Sequence, residues 1–207
     1  MVRTRESLSA GIAHLARVEP AFARVLERHG HPEPRNSEPG AATLMRTIVG
    51  QQVSVSAARS MWNKLEEAYG SPPDLRRLLA ANDEELRSLG QSRQKAGYLR
   101  SLAQLITSGE LELAALPADD DEAIAHLTRI KGIGRWSAEI YLLFAEGRPD
   151  VWPAGDLAVQ VEVGRLLGLD AKPSEKQVRD LAEPWRPHRG AAAVLAWHSY
   201  NNVGTAL

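Results

Sequence analysis

The amino-acid sequence predicts an all-α fold, and three observations lead to that prediction. Apolar residues recur at helical spacing, as Leu8, Ile12 and Leu15 do near the start of the chain. No alternating apolar and polar pattern extends beyond a few residues, so strands are not indicated. Short segments rich in Gly and Pro separate the periodic stretches, for example "HGHPEPRNSEPG" at residues 29–40. The chain is therefore expected to form a series of connected helices.

Breaks in the apolar pattern set the expected helix boundaries. Pro20 should divide residues 5–29 into two helices. Gly50 and the β-branched Val53 and Val55 should interrupt the helical stretch that Gly70 ends. Two short helices with acidic N-termini are expected at 73–81 and 82–90. The remaining helices are predicted over 92–109, 116–130, 135–144, 157–169, 173–185 and 189–202.

The composition excludes several classes of protein. The 207 residues are 43% hydrophobic and 25% charged, which is ordinary for a globular protein. Cys is absent, so disulfides, thiolate nucleophiles and cysteine-ligated clusters are excluded. The N-terminus does not have the pattern of a secretory signal and no stretch approaches a membrane span, so we expect a cytoplasmic protein without a membrane partner. The net charge of -1 neither indicates nor excludes nucleic acid.

The segment "IKGIGRW" at residues 130–136 places two glycines before an apolar helix. Gly132 and Gly134 can adopt backbone angles that a side chain forbids, and they let another backbone approach. The next helix then presents amide groups and the positive end of its dipole, and Lys131 and Arg135 add charge. This arrangement is a phosphate site that reads no base. The alternative is a plain tight turn between helices.

The wider pattern resembles a known family. It reads "LxxIxGIGxW(S/T)A" and is occupied by Leu127, Ile130, Gly132, Ile133, Gly134, Trp136, Ser137 and Ala138. It resembles the helix-hairpin-helix of the HhH-GPD superfamily of DNA glycosylases, in the form found in the alkylation-damage enzymes. The resemblance implies that the hairpin binds one DNA strand, with contacts from Lys131, Gly132, Ile133, Gly134 and Arg135. Hairpins of this kind also occur in non-catalytic DNA-binding proteins, so that alternative stays open.

Asp156 lies 20 residues after Trp136, in "DVWPAGDLAVQ". An Asp here could simply cap the helix that follows. The resemblance implies more, because these glycosylases carry an essential Asp at this distance, after a Gly/Pro-rich loop that Pro153 and Gly155 match. A carboxylate at the mouth of a helix could serve both purposes. Beside the sugar it would stabilise oxocarbenium charge and orient or deprotonate a water while an alkylated purine leaves.

The resemblance also bears on cofactors and on strand cleavage. It implies no required cofactor, and a possible structural Na⁺ or K⁺ at the carbonyls of Thr128, Ile130 and Ile133. Relatives that cut the strand place a Lys where this chain has Trp136, and that Lys attacks the sugar as an amine. Many of them hold a four-cysteine cluster, for which this chain has no Cys. We therefore predict a monofunctional glycosylase without lyase activity.

Aromatic residues are the candidates for a base pocket. By resemblance to 3-methyladenine DNA glycosylase II, Trp136 and Trp197 should wall the pocket, where stacking and cation–π attraction would hold a cationic base. A pocket Tyr of that family is replaced by Ile140, with Tyr141 beside it, and Trp152 precedes Asp156. Each Trp could instead belong to the core.

Two further segments resemble the family. "IVGQQVS" at residues 48–54 matches "I(L/V)GQ(Q/L)(V/L/I)S", so Gln52 should fill the space left by a flipped nucleotide and Gln51 should shape the loop. The alternative is a simple helix break. "SRQKAGYLR" at residues 92–100 also looks like the family, and Arg93 and Lys95 are either phosphate contacts or part of a solvated basic face.

The resemblance covers residues from about 40 to 200 and implies a compact form without the extra N-terminal domain of longer relatives. Two helical subdomains are expected, residues 36–148 and residues 1–35 with 149–207, with a DNA- and base-binding cleft between them. The predicted function is excision of alkylated purines (3-methyladenine or 7-methylguanine type) from double-stranded DNA by a monomer. A glycosylase for mispaired or oxidised bases is the alternative among enzymes.

Overall fold

A computed structural model describes residues 4–203 of the chain. Twelve α-helices and no strand occur within this range, which confirms the predicted all-α class. In chain order the helices are α1 (Arg5–Val18), α2 (Pro20–His29), α3 (Ala41–Gly50), α4 (Val55–Tyr69), α5 (Leu75–Ala80), α6 (Asp83–Ser88), α7 (Arg93–Thr107), α8 (Asp120–Leu127), α9 (Arg135–Tyr141), α10 (Leu157–Leu166), α11 (Glu175–Leu181) and α12 (Arg189–Val203). None of the helices within residues 4–203 is both long enough and apolar enough to span a bilayer.

The chain divides into two compact units. The first unit contains the chain up to Ser37 and the chain from Leu142 onward, and the second runs from Glu38 to Tyr141. The sequence placed the second junction after residue 148. The structure places it earlier because the apolar run that follows α9 packs within the first unit. There the rings of Phe144 and Trp197 lie 5.7 Å apart.

In the first unit, the small residues of α12 allow close packing of helices. Every residue from Gly190 to Ala196 is buried. A Cβ added to Gly11 of α1 would lie 3.0 Å from the Cβ of Ala191, so the two helices nearly touch. Aromatic rings fill the space beyond, with Trp185 packed edge to face against Phe22 at 4.9 Å and against Trp152 at 5.6 Å.

In the second unit, α7 provides the central apolar face. Leu99, Leu102 and Ala103 of α7 are completely buried. The sequence predicts the helix starts of this unit to within a few residues, although it assigned Val55, the first residue of α4, to a break. A polar N-cap precedes each of the helices α4 to α8, and its side chain accepts a hydrogen bond from a backbone N–H three residues on. These N-caps are Ser54, Asp74, Asn82, Ser92 and Asp119.

The main local difference from the predicted helices concerns "RWSAEIYLLF" at residues 135–144. The sequence predicts one continuous helix, whereas α9 ends at Tyr141 and a π-helical turn follows over Leu142–Glu146. Leu142, Leu143, Phe144 and Ala145 are all buried. An apolar run that is buried on all sides has no amphipathic periodicity, so packing rather than sequence decides how the chain winds there.

We expect Gly190→Ala to destabilise the first unit. An added Cβ would lie 2.7 Å from both the Pro149 carbonyl oxygen and the Leu143 Cδ1 atom, and a backbone carbonyl cannot move away cheaply. The free energy of unfolding should fall by about 1–3 kcal/mol in chemical denaturation. Gly97→Ala in α7 is the matched control, because no atom lies within 4 Å of its added Cβ. It should be neutral or stabilising by up to about 1 kcal/mol, and an equal loss in both variants would contradict the packing argument.

Candidate functional site

The predicted hairpin is present between α8 and α9. Thr128 follows the last residue of α8 as its C-cap, and α9 begins at Arg135. The Ile133 N–H donates to the Ile130 carbonyl at 3.0 Å, which closes the turn. The Lys131 N–H donates to the Ser101 hydroxyl of α7 at 3.1 Å. The turn is therefore held both internally and against α7.

The two hairpin glycines differ in how tightly the structure constrains them. Gly132 has a φ of +85°, and a Cβ at this position would lie 2.2 Å from a ring carbon of Tyr98. Gly134 is exposed and has no atom within 4 Å of an added Cβ. Its amide makes no hydrogen bond to another residue in the described range. Gly132 therefore fixes the turn, and Gly134 presents an exposed backbone amide.

The two charged residues beside the turn differ in their surroundings. Lys131 is exposed. The Arg135 guanidinium lies 2.6 Å from the Asp121 carboxylate and 3.0 Å from the Glu139 carboxylate, and the Glu139 side chain is buried. Burial acts to lower the pKa of Arg135, but the hydrogen bonds and charges of Asp121 and Glu139 outweigh it and raise that pKa. Much of the Arg135 charge is thus balanced within the unit.

The hairpin carbonyls are the candidates for a cation site. The oxygens of Thr128, Ile130 and Ile133 are neutral hard ligands, a donor type that suits a monovalent alkali ion better than a transition metal. The Ile130 oxygen already accepts one hydrogen bond, and a carbonyl has a second lone pair. Within the described range, no group of three His, Asp or Glu side chains could hold a metal ion.

The α3–α4 loop, residues 51–54, lies against the hairpin. The Gln51 Nε2 atom donates to the Gly132 carbonyl oxygen at 2.7 Å. Gln52 is exposed and has a φ of 57°, a left-handed conformation that residues other than Gly seldom adopt. The structure therefore brings the predicted wedge loop and the predicted DNA-binding turn together.

Lys95 does not belong to an exposed basic surface. Its side chain is buried, and its Nζ atom donates to the Val49 carbonyl oxygen at 2.7 Å, near the C-terminus of α3. Burial lowers the pKa of Lys95. The amphipathic pattern of α7 places this residue on the inner face, which the sequence interpretation overlooked. Arg93 is exposed, as predicted.

Asp156 is the N-cap of α10. Its Oδ1 atom accepts a hydrogen bond from the Val159 N–H at 3.0 Å and another from the Trp197 Nε1–H at 3.1 Å. The side chain is half-buried, and the preceding turn is closed by the Asp156 N–H donating to the Pro153 carbonyl. The two interpretations of this Asp, as a helix cap and as a fixed functional carboxylate, are therefore compatible.

Of the aromatic candidates, Trp197 donates its indole N–H directly to the Asp156 carboxylate. Trp136 is 48% exposed on α9, and Ile140 is half-buried. Tyr141 is buried, and its hydroxyl accepts a hydrogen bond from the Gly40 N–H at 2.8 Å. Trp152 is buried and donates its indole N–H to the Val178 carbonyl at 3.1 Å. Tyr141 and Trp152 are therefore placed in packing positions rather than on an exposed pocket wall.

Two structural features near these residues were not predicted from the sequence. Leu157 follows Asp156 and is 64% exposed, which is unusual for a large apolar side chain. It lies outside the buried stripe of α10 that contains Val159 and Val163, and that spacing could have revealed it. The sequence could not predict the contact of Tyr98 with Gly132, because the two residues lie on different elements.

A tight turn between two helices that presents an exposed Gly amide defines the class of helix-hairpin-helix proteins. The chain belongs to the HhH-GPD superfamily of base excision DNA repair proteins, whose family model matches residues 45–187. This confirms the family inferred from the motifs.

Individual relatives agree with this assignment. DNA-3-methyladenine glycosylase 1 of Schizosaccharomyces pombe is 31% identical over 202 residues, which are 92% of this chain and 87% of that protein. The putative DNA-3-methyladenine glycosylase YfjP of Bacillus subtilis is 29% identical over 75% of this chain, and the match spans 57% of its length. The structure of the S. pombe 3-methyladenine DNA glycosylase in complex with abasic DNA has a TM-score of 0.77 at 28% identity, covering 94% of this chain and 97% of that one.

The two hairpin glycines should respond differently to the same substitution. Gly132→Ala forces a Cβ into both a positive φ and the Tyr98 ring, so the free energy of unfolding should fall by about 2–4 kcal/mol. Gly134→Ala meets no atom and should change it by no more than about 0.5 kcal/mol. Chemical denaturation followed by circular dichroism measures both. Similar destabilisation by the two substitutions would show that Tyr98 does not constrain the turn.

Proposed function

We propose that this chain is a monofunctional DNA glycosylase that hydrolyses the N-glycosidic bond of alkylated purines, of the 3-methyladenine and 7-methylguanine type. The observation that carries the proposal is the double hydrogen bonding of the Asp156 Oδ1 atom by Val159 and Trp197 at the N-terminus of α10. These donors hold a half-buried carboxylate in one orientation. The names of the relatives above support the same substrate class.

The chemistry asks little of the protein beyond this carboxylate. An N-alkylated purine carries positive charge, so it leaves with the bonding electrons of the N-glycosidic bond and becomes a neutral base. The sugar that remains develops oxocarbenium character, which the Asp156 carboxylate stabilises electrostatically. A water molecule then adds its oxygen to the anomeric carbon and gives up a proton, for which Asp156 is the nearby base. No cofactor takes part in these steps.

The hairpin supplies the contact with the DNA backbone. The exposed Gly134 amide and the start of α9 offer hydrogen bonds to a phosphate, and Lys131 adds a positive charge. Ile133 and Gly132 shape the turn. Arg135 adds the part of its positive charge that Asp121 and Glu139 do not neutralise. This contact is independent of sequence, as repair of scattered lesions requires. A Na⁺ or K⁺ at the carbonyls of Thr128, Ile130 and Ile133 would add charge there.

Recognition of the lesion requires that the nucleotide leave the helix. Gln52 fills the space that the flipped nucleotide vacates, since its side chain is exposed on the α3–α4 loop. Trp197, which lies beside Asp156, contacts the cationic base with about 0.5–2 kcal/mol of cation–π attraction. The protein acts as a monomer and, having no Cys, suits the reducing conditions of the cytoplasm.

Asp156→Asn should abolish excision and preserve binding. Asn is also a good N-cap, so α10 should persist, whereas the loss of the negative charge should slow release of 3-methyladenine from methylated DNA by at least about 100-fold. Chromatography of the released bases measures the rate, and fluorescence anisotropy with abasic DNA measures the binding. Asp180→Asn is the control, because it makes the same change at an exposed residue of α11.

Three outcomes of this experiment would exclude parts of the proposal. Equal activity of the Asp156→Asn variant and the unaltered protein would remove Asp156 from the chemistry. Binding of damaged DNA without release of any base would favour a non-catalytic hairpin protein. Release of oxidised or mispaired bases without 3-methyladenine or 7-methylguanine would favour the alternative glycosylase class.

Strand cleavage should require added alkali. A lyase needs an amine that attacks the sugar, and the hairpin position that carries this amine in cleaving relatives is Trp136 here. Reaction of end-labelled damaged duplex should therefore leave intact strands with abasic sites, which break only on heating in alkali. Strand breaks without alkali, or trapping of a covalent complex by borohydride, would contradict the monofunctional assignment.

A further inference from the structure

We propose that Gln51 is a positioning residue that couples the hairpin to the α3–α4 loop, which carries Gln52. The inference rests on the proposed function and adds a task for a residue outside the chemistry. Gln51 directly precedes Gln52, and its side chain hydrogen bonds to the apex of the hairpin. The side-chain amide of Gln51 therefore sets the position of Gln52 relative to the DNA strand that the hairpin binds.

The acceptor of this hydrogen bond belongs to a rigid turn. Gly132 has a positive φ, and the Tyr98 ring leaves no room for a side chain at that position. The Tyr98 hydroxyl accepts a hydrogen bond from the Gln94 amide at 2.5 Å, one turn earlier on α7. The Gly132 carbonyl oxygen is therefore a fixed reference point. Its 2.7 Å separation from the Gln51 Nε2 atom is that of a well-formed hydrogen bond.

The loop that Gln51 begins has few other packing contacts. The residues at 52–56 are all exposed, and Val55 is 88% exposed. A cavity of about 340 Å³ separates the loop from the start of α7, and its lining includes Gln52, Val53, Ser92 and Gln94. A segment with little buried apolar surface moves easily unless it is tied down. The Gln51 side chain is the tie to the hairpin.

The backbone at Gln52 makes such a tie important. A left-handed φ at a residue other than Gly persists only when its neighbours hold it. Gln51, the residue before Gln52, is held by two hydrogen bonds. Its side chain donates to the Gly132 carbonyl, and its backbone N–H donates to the Ile48 carbonyl at 3.3 Å. Seating the hairpin on a phosphate would thus also place the wedge at a fixed distance along the strand.

This coupling should matter for extrusion of the base rather than for bond cleavage. Gln51→Leu keeps the approximate shape and removes the donor, whereas Gln51→Glu replaces the donor with an oxygen that repels the Gly132 carbonyl. Both variants should lower the ratio of kcat/KM on duplex DNA to kcat/KM on single-stranded DNA, which needs no extrusion, by about tenfold. A 2-aminopurine placed beside the lesion should show slower base extrusion after rapid mixing.

The control variant is Gln104→Leu, which makes the same change at an exposed position on the same unit. It should keep the ratio of the unaltered protein. Circular dichroism should show the same helix content in all three variants, and Gln51→Glu supplies the test if Gln51→Leu fails to fold. The comparison requires that the unaltered protein releases bases from both duplex and single-stranded DNA.

The outcomes separate this inference from the proposed function. An unchanged ratio in a folded Gln51 variant would overturn the coupling and leave the glycosylase assignment intact. An equal loss on duplex and single-stranded DNA would show a general structural effect and would also overturn it. Failure of the unaltered protein to release any base would overturn the proposed function itself, and the coupling with it.

Discussion

The hydrogen bond between the Trp197 indole and the Asp156 carboxylate is the interaction that orients the carboxylate of the proposed active site. The carboxylate oxygen that accepts it also accepts the Val159 N–H and so caps α10. Capping by Asp is worth about 0.5–2 kcal/mol, so helix stability and carboxylate orientation are linked in one atom. The packing of the Trp197 ring against Phe144 fixes the indole in turn. The functional group is held by the same forces that hold the first unit together.

Close backbone approach is the second constraint, and it recurs in both units. Gly11 and Gly190 allow α12 to pack against α1 and against the segment at Pro149. Gly132 allows the hairpin to lie on the Tyr98 ring. In each case the absent side chain leaves space that another residue occupies at or inside van der Waals distance. These glycines position the helix ends, whereas Gly134 is exposed and an added Cβ there would lie within 4 Å of no other atom.

Several charged side chains of this nearly neutral chain are buried and have partners within the fold. Glu162 and Glu139 are buried, and each is paired with an Arg on its own helix, Arg165 and Arg135. Lys95 is directed to a backbone carbonyl. Pairing is the condition under which buried charges are tolerated. Several basic residues therefore serve the fold, and the hairpin offers backbone amides and the exposed Lys131.

Sequence by itself determined the helical class, the hairpin and the capping role of Asp156, because each depends on residues near one another in the chain. Helical periodicity, Gly spacing and N-cap chemistry act over a few residues. The tertiary structure decided what depends on distant residues: the burial of Trp152 and Tyr141, and the hydrogen bond from Gln51 to Gly132. An amphipathic pattern predicts which face of a helix is buried. Which residue of another helix that face contacts is decided only when the helices pack. For that reason the sequence predicted the candidate site residues but not the contacts that orient them.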